Sequence, residues 1–180
     1  MKLFVLILGF MTLLVSCRVT LLKDDELTLE REDYEGSELK LDGYYYEDIV
    51  IGSGEKGKEV YFLYRNGILL YGTVLIGEDD VLLEMYRSGE YARDAQQSIT
   101  NWGVFQVDTK IIKFERWYPS SGGGAPTAIK EGKILNDTTF HITEEYKIKK
   151  GKKVDVVEVN SIYHFKAFSP KPDSTNTFVK

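Results

Sequence analysis

Residues 59–76 have the sequence EVYFLYRNGILLYGTVLI, in which two apolar runs flank Asn66-Gly67. Asn-Gly is the strongest short signal for a β-hairpin, because both residues tolerate the positive φ angles of a type I′ turn. Residues 59–65 and 68–76 are therefore predicted to be antiparallel neighbours. The second strand is apolar on both faces, so we expect it to lie centrally in a sheet or under a cover.

Six further stretches have the period-two alternation or the aromatic content typical of strands. Most are joined by short turn sequences, and only residues 77–100 form a long connection. Within that connection Asp79-Asp80 can cap a short helix. The predicted strands cover residues 39–46, 59–65, 68–76, 102–107, 110–118, 127–135, 138–149 and 154–168.

Eight sequential antiparallel strands close well into an up-and-down barrel, which removes exposed sheet edges. A barrel of this size is just wide enough to be filled by side chains or to hold one small ligand. We therefore predict an all-β fold, an eight-stranded antiparallel up-and-down barrel with one short helix. A β-sandwich is the alternative, because it gives similar strand spacing.

The first predicted strand contains Gly43-Tyr44-Tyr45, at the position where the first lipocalin strand carries Gly-X-Trp. Tyr45 stands in the place of the Trp. Over residues 39–168 the chain resembles the lipocalin-like, or calycin-type, domains of small bacterial lipoproteins. The resemblance implies a barrel whose strands follow one another in chain order.

The N-terminus combines one positive residue with an apolar stretch over residues 3–14. That stretch is shorter than the roughly 20 residues that span a hydrocarbon core, and it suits a secretory signal. It ends in Leu14-Val15-Ser16-Cys17, which resembles the bacterial lipobox. The resemblance implies that Cys17 carries a diacylglycerol and becomes the N-terminus after cleavage. Cys17 is the only cysteine, so an internal disulfide is excluded.

These features predict four segments along the chain. Residues 1–16 are a signal peptide and residues 17–38 a lipidated N-terminus followed by an acidic, solvated tether. Residues 39–168 are the barrel domain, and residues 169–180 are a flexible tail. The charged run in residues 23–26 resembles the acidic export signal of surface lipoproteins, which favours a bacterial outer membrane lipoprotein displayed on the cell surface.

The chain has 23 basic and 28 acidic residues, a net charge of −5. An acidic protein is disfavoured as a partner of nucleic acid, and as a whole it is repelled by anionic surfaces. The predicted partners are the membrane, reached through the N-terminal lipid, a small apolar ligand and an envelope protein. No cofactor is expected.

The sequence has no motif that predicts catalysis or metal binding. His141 and His164 lie on predicted strands outside any ligand-spaced cluster, so we interpret them as cross-strand polar residues. Residues 119–124 are glycine-rich but lack the Gly-Lys-Ser/Thr of a phosphate loop. Glu144 and Glu145 are adjacent on a strand and point to opposite faces. We therefore expect a protein that is not an enzyme.

Two predicted strands each place one charged residue on the face that we expect to point inwards. The more apolar face of residues 110–118 contains Arg116, and that of residues 138–149 contains Glu144. A buried charge is costly unless paired, so we predict that these two interact, with Glu131 as a third member. Alternatively, the guanidinium of Arg116 donates hydrogen bonds to the carboxylate of a ligand. The inward faces are Ile112, Phe114, Arg116 and Tyr118, and Phe140, Ile142, Glu144, Tyr146 and Ile148.

Most aromatic side chains are expected to pack the barrel, but Trp102 and Trp117 lie near strand ends, where a pocket would open. The leading hypothesis is a lipid-anchored envelope protein whose barrel binds a small apolar or amphipathic ligand. The alternative is a structural or interaction protein with a filled barrel. The candidate ligand-binding residues are Trp102, Arg116, Trp117, Tyr118 and Glu144.

Overall fold

The computed structural model describes residues 23–50, 52, 54–75, 88, 93 and 97–180. Eight strands form a closed barrel in which sequential strands pair antiparallel and the last closes onto the first. The predicted up-and-down barrel is confirmed. The strands are β1 (Gly43–Val50), β2 (Lys56–Leu63), β3 (Ile68–Leu75), β4 (Trp102–Asp108), β5 (Ile111–Trp117), β6 (Thr127–Asn136), β7 (Thr139–Lys149) and β8 (Lys152–Ala167).

Two predictions lie outside the described residues: the lipobox that ends at Cys17 and the helix after Asp79-Asp80. A turn of 3₁₀ helix, Ile99–Asn101, leads into β4. Among the described residues, no helix is long and apolar enough to cross a membrane.

Aromatic rings fill the lower half of the barrel, the half that lies towards the β2–β3 turn. Phe140 stacks on Tyr163 with ring centroids 4.9 Å apart, and the ring centroid of Tyr45 also lies 4.9 Å from that of Phe140. Period-two alternation brings these rings to the inside of their strands. This inner core consists of Tyr45, Tyr61, Leu63, Leu69, Phe105, Ile112, Phe114, Ile134, Phe140, Ile142 and Tyr163, together with Tyr34 and Leu39 from the segment before β1.

A second core lies outside the barrel, on the outer face of β1–β5. It contains Phe62, Leu70 and Trp102, each fully buried. The chain segments before β1 and after β8 cover it with Leu29 and Val179, among others. This cover explains why residues 68–76 are apolar on both faces, as the sequence predicts for a covered strand.

The segment before β1, residues 23–42, is a strap that runs along the outside of the barrel. It is held at its upper part by Glu115, whose Oε2 accepts hydrogen bonds from the backbone N–H groups of Thr28 and Leu29, both at 2.7 Å. Further along, Tyr34 N donates to Arg65 O at 2.7 Å. The solvated tether expected for this segment is therefore wrong for its described part. The prediction relied on the charged runs of this segment and gave too little weight to its few apolar side chains, which pack on the barrel.

The tail after β8 is also held against the barrel. Lys171 Nζ donates to the carbonyl oxygens of Leu41 and Leu63, at 2.6 and 2.7 Å. Tyr64 Oη donates to Pro172 O at 2.9 Å, and Val179 is buried in the outer core. Residues 169–180 thus differ from the flexible tail that their Pro and Ser content predicts, because Val179 and its neighbours complete an apolar surface.

The β2–β3 turn differs from the predicted type I′ turn. Gly67 N donates to Tyr64 O at 3.0 Å, and of the turn residues only Gly67 has a positive φ, 73°. This is the arrangement of a three-residue hairpin loop that ends in a left-handed glycine. A Cβ on Gly67 would lie 2.1 Å from the backbone oxygen of Glu32 in the strap.

We expect Gly67→Ala to lower the free energy of unfolding by about 2 kcal/mol or more. A left-handed alanine costs about 1–2 kcal/mol, and the new methyl group also displaces the strap. Chemical denaturation measures the loss. Gly54→Ala is the matched control, because Gly54 has a φ of 85° but open space around its missing Cβ. Equal losses in the two variants would contradict the predicted strap contact.

Candidate functional site

The upper half of the barrel, towards the β1–β2, β5–β6 and β7–β8 connections, contains charged side chains instead of apolar ones. Glu59 of β2 is 8% exposed, and its Oε2 lies 2.9 Å from Lys130 Nζ of β6. Tyr61 Oη donates to Glu59 Oε1 at 3.2 Å, and Tyr163 donates to Oε2. We call Glu59, Lys130 and Arg116, with Tyr61 and Tyr163, the interior polar cluster.

Glu59 and Lys130 form an ion pair inside the barrel. Burial by itself raises the pKa of Glu59, but the charge of Lys130 and the donors from Tyr163 and Lys130 outweigh burial and hold it below its ordinary value. Burial lowers the pKa of Lys130, and the charge of Glu59 outweighs that effect and raises it. Burial raises the pKa of Tyr163, which therefore remains a donor. The pair is charged across the physiological pH range.

Arg116 of β5 is 5% exposed and lies inside the barrel beside this pair. Its guanidinium carbon lies 3.7 Å from the ring centroid of Tyr71 and 3.9 Å from that of Tyr118. Nη1 donates to the carbonyl oxygens of Thr100 and Trp117, at 3.1 and 3.0 Å. Nε is buried and has no hydrogen-bond partner among the described residues. The cation is thus stabilised by rings and carbonyl dipoles.

Half-buried Glu47 of β1 lies directly opposite Glu59 of β2 in the strand register. Its pKa is raised, first by burial and then by the negative charge of Glu59, while a hydrogen bond from Ser161 opposes both. The upper interior therefore carries charges of both signs, with the cations on β5 and β6 and these carboxylates on β1 and β2.

Of the candidate residues, the structure places Arg116 and Tyr118 together at the interior polar cluster. Trp102 and Trp117 belong to the outer core, where the Trp117 indole N–H donates to Asp25 O in the strap at 2.7 Å. Neither tryptophan faces the barrel interior, although Trp117 lines a groove outside the barrel, and their role in ligand binding stays a prediction. Both are on the outer faces of their strands, since Trp117 adjoins the inward Arg116 in sequence.

The predicted contact of Arg116 with Glu144 and Glu131 is also wrong. Glu144 and Glu131 face outwards, and both contact Lys153 Nζ, at 2.5 and 3.2 Å. Glu131 points outwards because the adjacent Lys130 points inwards to Glu59. For Glu144 the cause is a β-bulge at Thr143. Glu131 pairs with Glu144 but the next residue, Gly132, pairs with Ile142, so one residue of β7 is skipped. A bulge reverses the alternation beyond it, which turns Glu144 and Tyr146 outwards.

Sequence reasoning missed Glu59 and Lys130, although the signal was present. Glu59 shares the inward face of β2 with Tyr61 and Leu63. A carboxylate on an inward face is costly unless it is paired, so Glu59 predicts a buried cation as its partner. Lys130 could not be placed the same way. It lies between Ala128 and Gly132, which have no side chain large enough to mark an inward face.

The histidines lie away from this site. His141 Nε2 is 2.7 Å from Asn160 Oδ1 on the exposed face, and His164 lies 6.1 Å from the ring of Tyr46 outside the barrel. Within residues 23–50, 54–75 and 97–180, no group of three His, Cys, Asp or Glu side chains is placed to hold a metal ion.

A groove of about 780 Å³ lies outside the barrel, between the strap and the C-terminal residues. It is lined by apolar side chains such as Leu27, Trp117 and Phe178 and by charged strap residues. The groove is separate from the interior polar cluster, because Trp117 points outwards from the barrel. No protein-family model, no curated protein and no solved structure matches this chain.

Proposed function

We propose that the protein is a lipid-anchored envelope protein whose barrel binds a small amphipathic anion at the upper end. The observation that carries the proposal is Arg116. Among the described residues this buried guanidinium has no carboxylate within ion-pair distance, whereas the neighbouring Lys130 is paired with Glu59. A buried charge is costly unless it is paired, so an anionic ligand would complete the site.

The surroundings of Arg116 favour an acid with an apolar portion. A guanidinium offers a planar fork of donors that matches a carboxylate. The rings of Tyr71 and Tyr118 cover its faces and fix its orientation, so little rotational freedom remains to be lost on binding. The same rings provide the apolar surface that a hydrocarbon chain would contact. The proposed role is binding and not catalysis.

The test compares palmitate with hexadecanol, which has the same chain length and no charge. Isothermal titration of the full chain should give saturable binding of palmitate and clearly weaker binding of hexadecanol. Arg116→Gln should weaken palmitate binding about 10–100-fold, because it removes hydrogen bonds between a charged donor and the carboxylate of the ligand. Lys166→Gln removes an exposed cation outside the barrel and is the matched control, with no expected effect.

Equal affinities for the acid and the alcohol, or an unchanged affinity in Arg116→Gln, would contradict the role of Arg116. Mass spectrometry of natively purified protein tests the anchor separately. We expect an N-terminal Cys17 with acyl chains, and we expect Cys17→Ala to lack that mass. An acylated membrane protein in the Cys17→Ala variant would contradict the anchor.

A structural or interaction role in the envelope is the second candidate, and the filled inner core favours it. Tyr45, Phe114, Phe140 and Tyr163 leave the lower half of the barrel packed with rings. Such a barrel would present its loops, including residues 118–125, to a protein partner. Absence of any saturable palmitate binding and of any retained small molecule in the native mass spectrum would favour this candidate.

A further inference from the structure

The β7–β8 hairpin ends in a dense group of positive charge within an acidic protein. Residues 147–153 contain five lysines. Lys153 is paired with outward carboxylates. Lys149, Lys150 and Lys152 are exposed and, among the described residues, have no carboxylate within ion-pair distance. We call these three residues the lysine tip.

The backbone holds the lysine tip in a defined shape. Lys149 pairs with Lys152, and the two residues between them have φ angles of 52° and 72°, as a two-residue type I′ turn requires. The ladder between β6 and β7 reaches Tyr146, and β8 pairs with β1 only through β8 residues 164–167. The tip therefore projects beyond its neighbours as a two-stranded ribbon.

Apolar side chains follow the lysines on the same ribbon. Val156 and Val157 of β8 are 52% and 57% exposed. Exposed valines beside unpaired lysines resemble the composition of segments that lie at a lipid–water interface, where cations meet headgroups and apolar groups enter the acyl boundary.

The N-terminal end of the strap lies at the same end of the barrel. Asp25 N donates to Ala125 O at 3.0 Å, and Asp25 O accepts from the Trp117 indole at 2.7 Å. Ala125 and Trp117 flank the β5–β6 connection. In an antiparallel barrel this connection and the β7–β8 turn share one end. The first described residues of the strap thus lie at the same end of the barrel as the lysine tip.

We propose that the lysine tip contacts the anionic phospholipid headgroups of the membrane in which the protein is anchored. The orientation towards that membrane rests on the proposed N-terminal anchor. The net charge of −5 opposes such a contact only weakly, because charges farther than about 8 Å from the surface are screened at physiological salt. The tip extends beyond the ladders of the neighbouring strands, so its three lysines would reach such a surface before the barrel does.

The test uses the full chain, purified in detergent and transferred to vesicles of phosphatidylcholine alone or with one third phosphatidylglycerol. A membrane-impermeant amine reagent and mass spectrometry report the labelling rate of each lysine. We expect slower labelling of the lysine tip on the phosphatidylglycerol vesicles only, and recovery at 1 M salt, where the Debye length is about 3 Å. Exposed Lys110, Lys133 and Lys166 should label equally on both vesicles.

Charge variants extend the test to the ribbon itself. Amide exchange in residues 152–158 should slow on phosphatidylglycerol vesicles, and this effect should disappear in Lys149→Gln/Lys150→Asn/Lys152→Gln. The control, Lys110→Gln/Lys133→Gln/Lys166→Gln, removes the same charge from exposed positions elsewhere and should retain the effect. The expected loss of apparent affinity is about fivefold for each lysine of the tip.

Equal labelling of the lysine tip on the two kinds of vesicle would overturn the proposal, whether or not the chain sediments with them. Slower labelling of Lys110 and Lys133 in place of the tip would overturn it too, because the opposite end of the barrel would then face the membrane. The proposed lipid anchor is tested separately, because mass spectrometry would then show no acyl chains on Cys17.

Discussion

Lys130→Met should lower the free energy of unfolding by about 3–5 kcal/mol, the loss expected when one partner of a buried ion pair is removed. Glu59 is 8% exposed, and Lys130 Nζ, at 2.9 Å, is the cation that neutralises it. In the variant the carboxylate remains buried with only tyrosine donors. Urea unfolding should show a lower midpoint with an unchanged m-value.

The double variant Glu59→Gln/Lys130→Met is the matched control. It removes both charges, and replacing a buried pair by neutral residues of similar volume is often close to neutral. We therefore expect most of the lost stability to return. A double variant that is less stable than Lys130→Met would contradict the assignment of this pair as a buried ion pair.

The same pair predicts a dependence of stability on acid pH. The pKa of Glu59 in the folded protein lies below its ordinary value of 4.5. Near and below pH 4.5 the unfolded chain therefore binds more protons at this site than the folded protein does. The contribution of Glu59 is present above pH 4.5 and is lost as the pH falls through the lowered pKa. Glu59→Gln should flatten this part of the stability curve.

The second large effect is expected for Glu115→Ala, which removes the main attachment of the strap. Glu115 is 1% exposed, and its carboxylate accepts from the backbone N–H groups of Thr28 and Leu29 at 2.7 Å and from the Thr28 hydroxyl at 3.1 Å. Hydrogen bonds to a charged group contribute about 1.5–3 kcal/mol. We expect a loss of about 2–4 kcal/mol, measured by urea unfolding.

Amide exchange identifies the cause of that loss. The amides of Thr28 and Leu29 should exchange faster in Glu115→Ala, while those of β7 should keep their wild-type rates. Glu144→Ala is the control, because Glu144 is an outward carboxylate whose partner, Lys153, is 40% exposed, and such pairs contribute little. Unchanged protection of Thr28 and Leu29 in Glu115→Ala would contradict the proposed attachment.

The architecture of the barrel could be predicted because its signals are local. Alternation, aromatic content or an apolar run marked each strand, although residues 47–50 of β1 were not predicted, and turn sequences such as residues 108–110 and 136–138 marked the connections. Strands that are joined by short turns pair with their neighbours in sequence. Eight of them leave two edges that only closure removes, so the sequence predicts the strand order and favours the barrel over the alternative β-sandwich.

The inward position of Arg116 was also a local inference, because no bulge interrupts the pairing of β5 with either neighbour. The same reasoning failed for Glu144. The skipped residue at Thr143 is a property of how β7 pairs with β6, and nothing in the sequence of β7 alone marks it. One extra residue in a strand is enough to exchange its two faces.

The strap, the ion pair of Glu59 with Lys130 and the surroundings of Arg116 were decided by the tertiary structure. Thr28 and Glu115 are 87 residues apart, and Glu59 and Lys130 are 71 residues apart. Contacts at such separations depend on which faces closure of the barrel brings together, and no local pattern encodes them. The amino-acid sequence by itself determined the strands and their order, because hydrophobic periodicity and turn chemistry act between near neighbours. Only closure determined which charges meet inside, because it places β2, β5 and β6 around one interior.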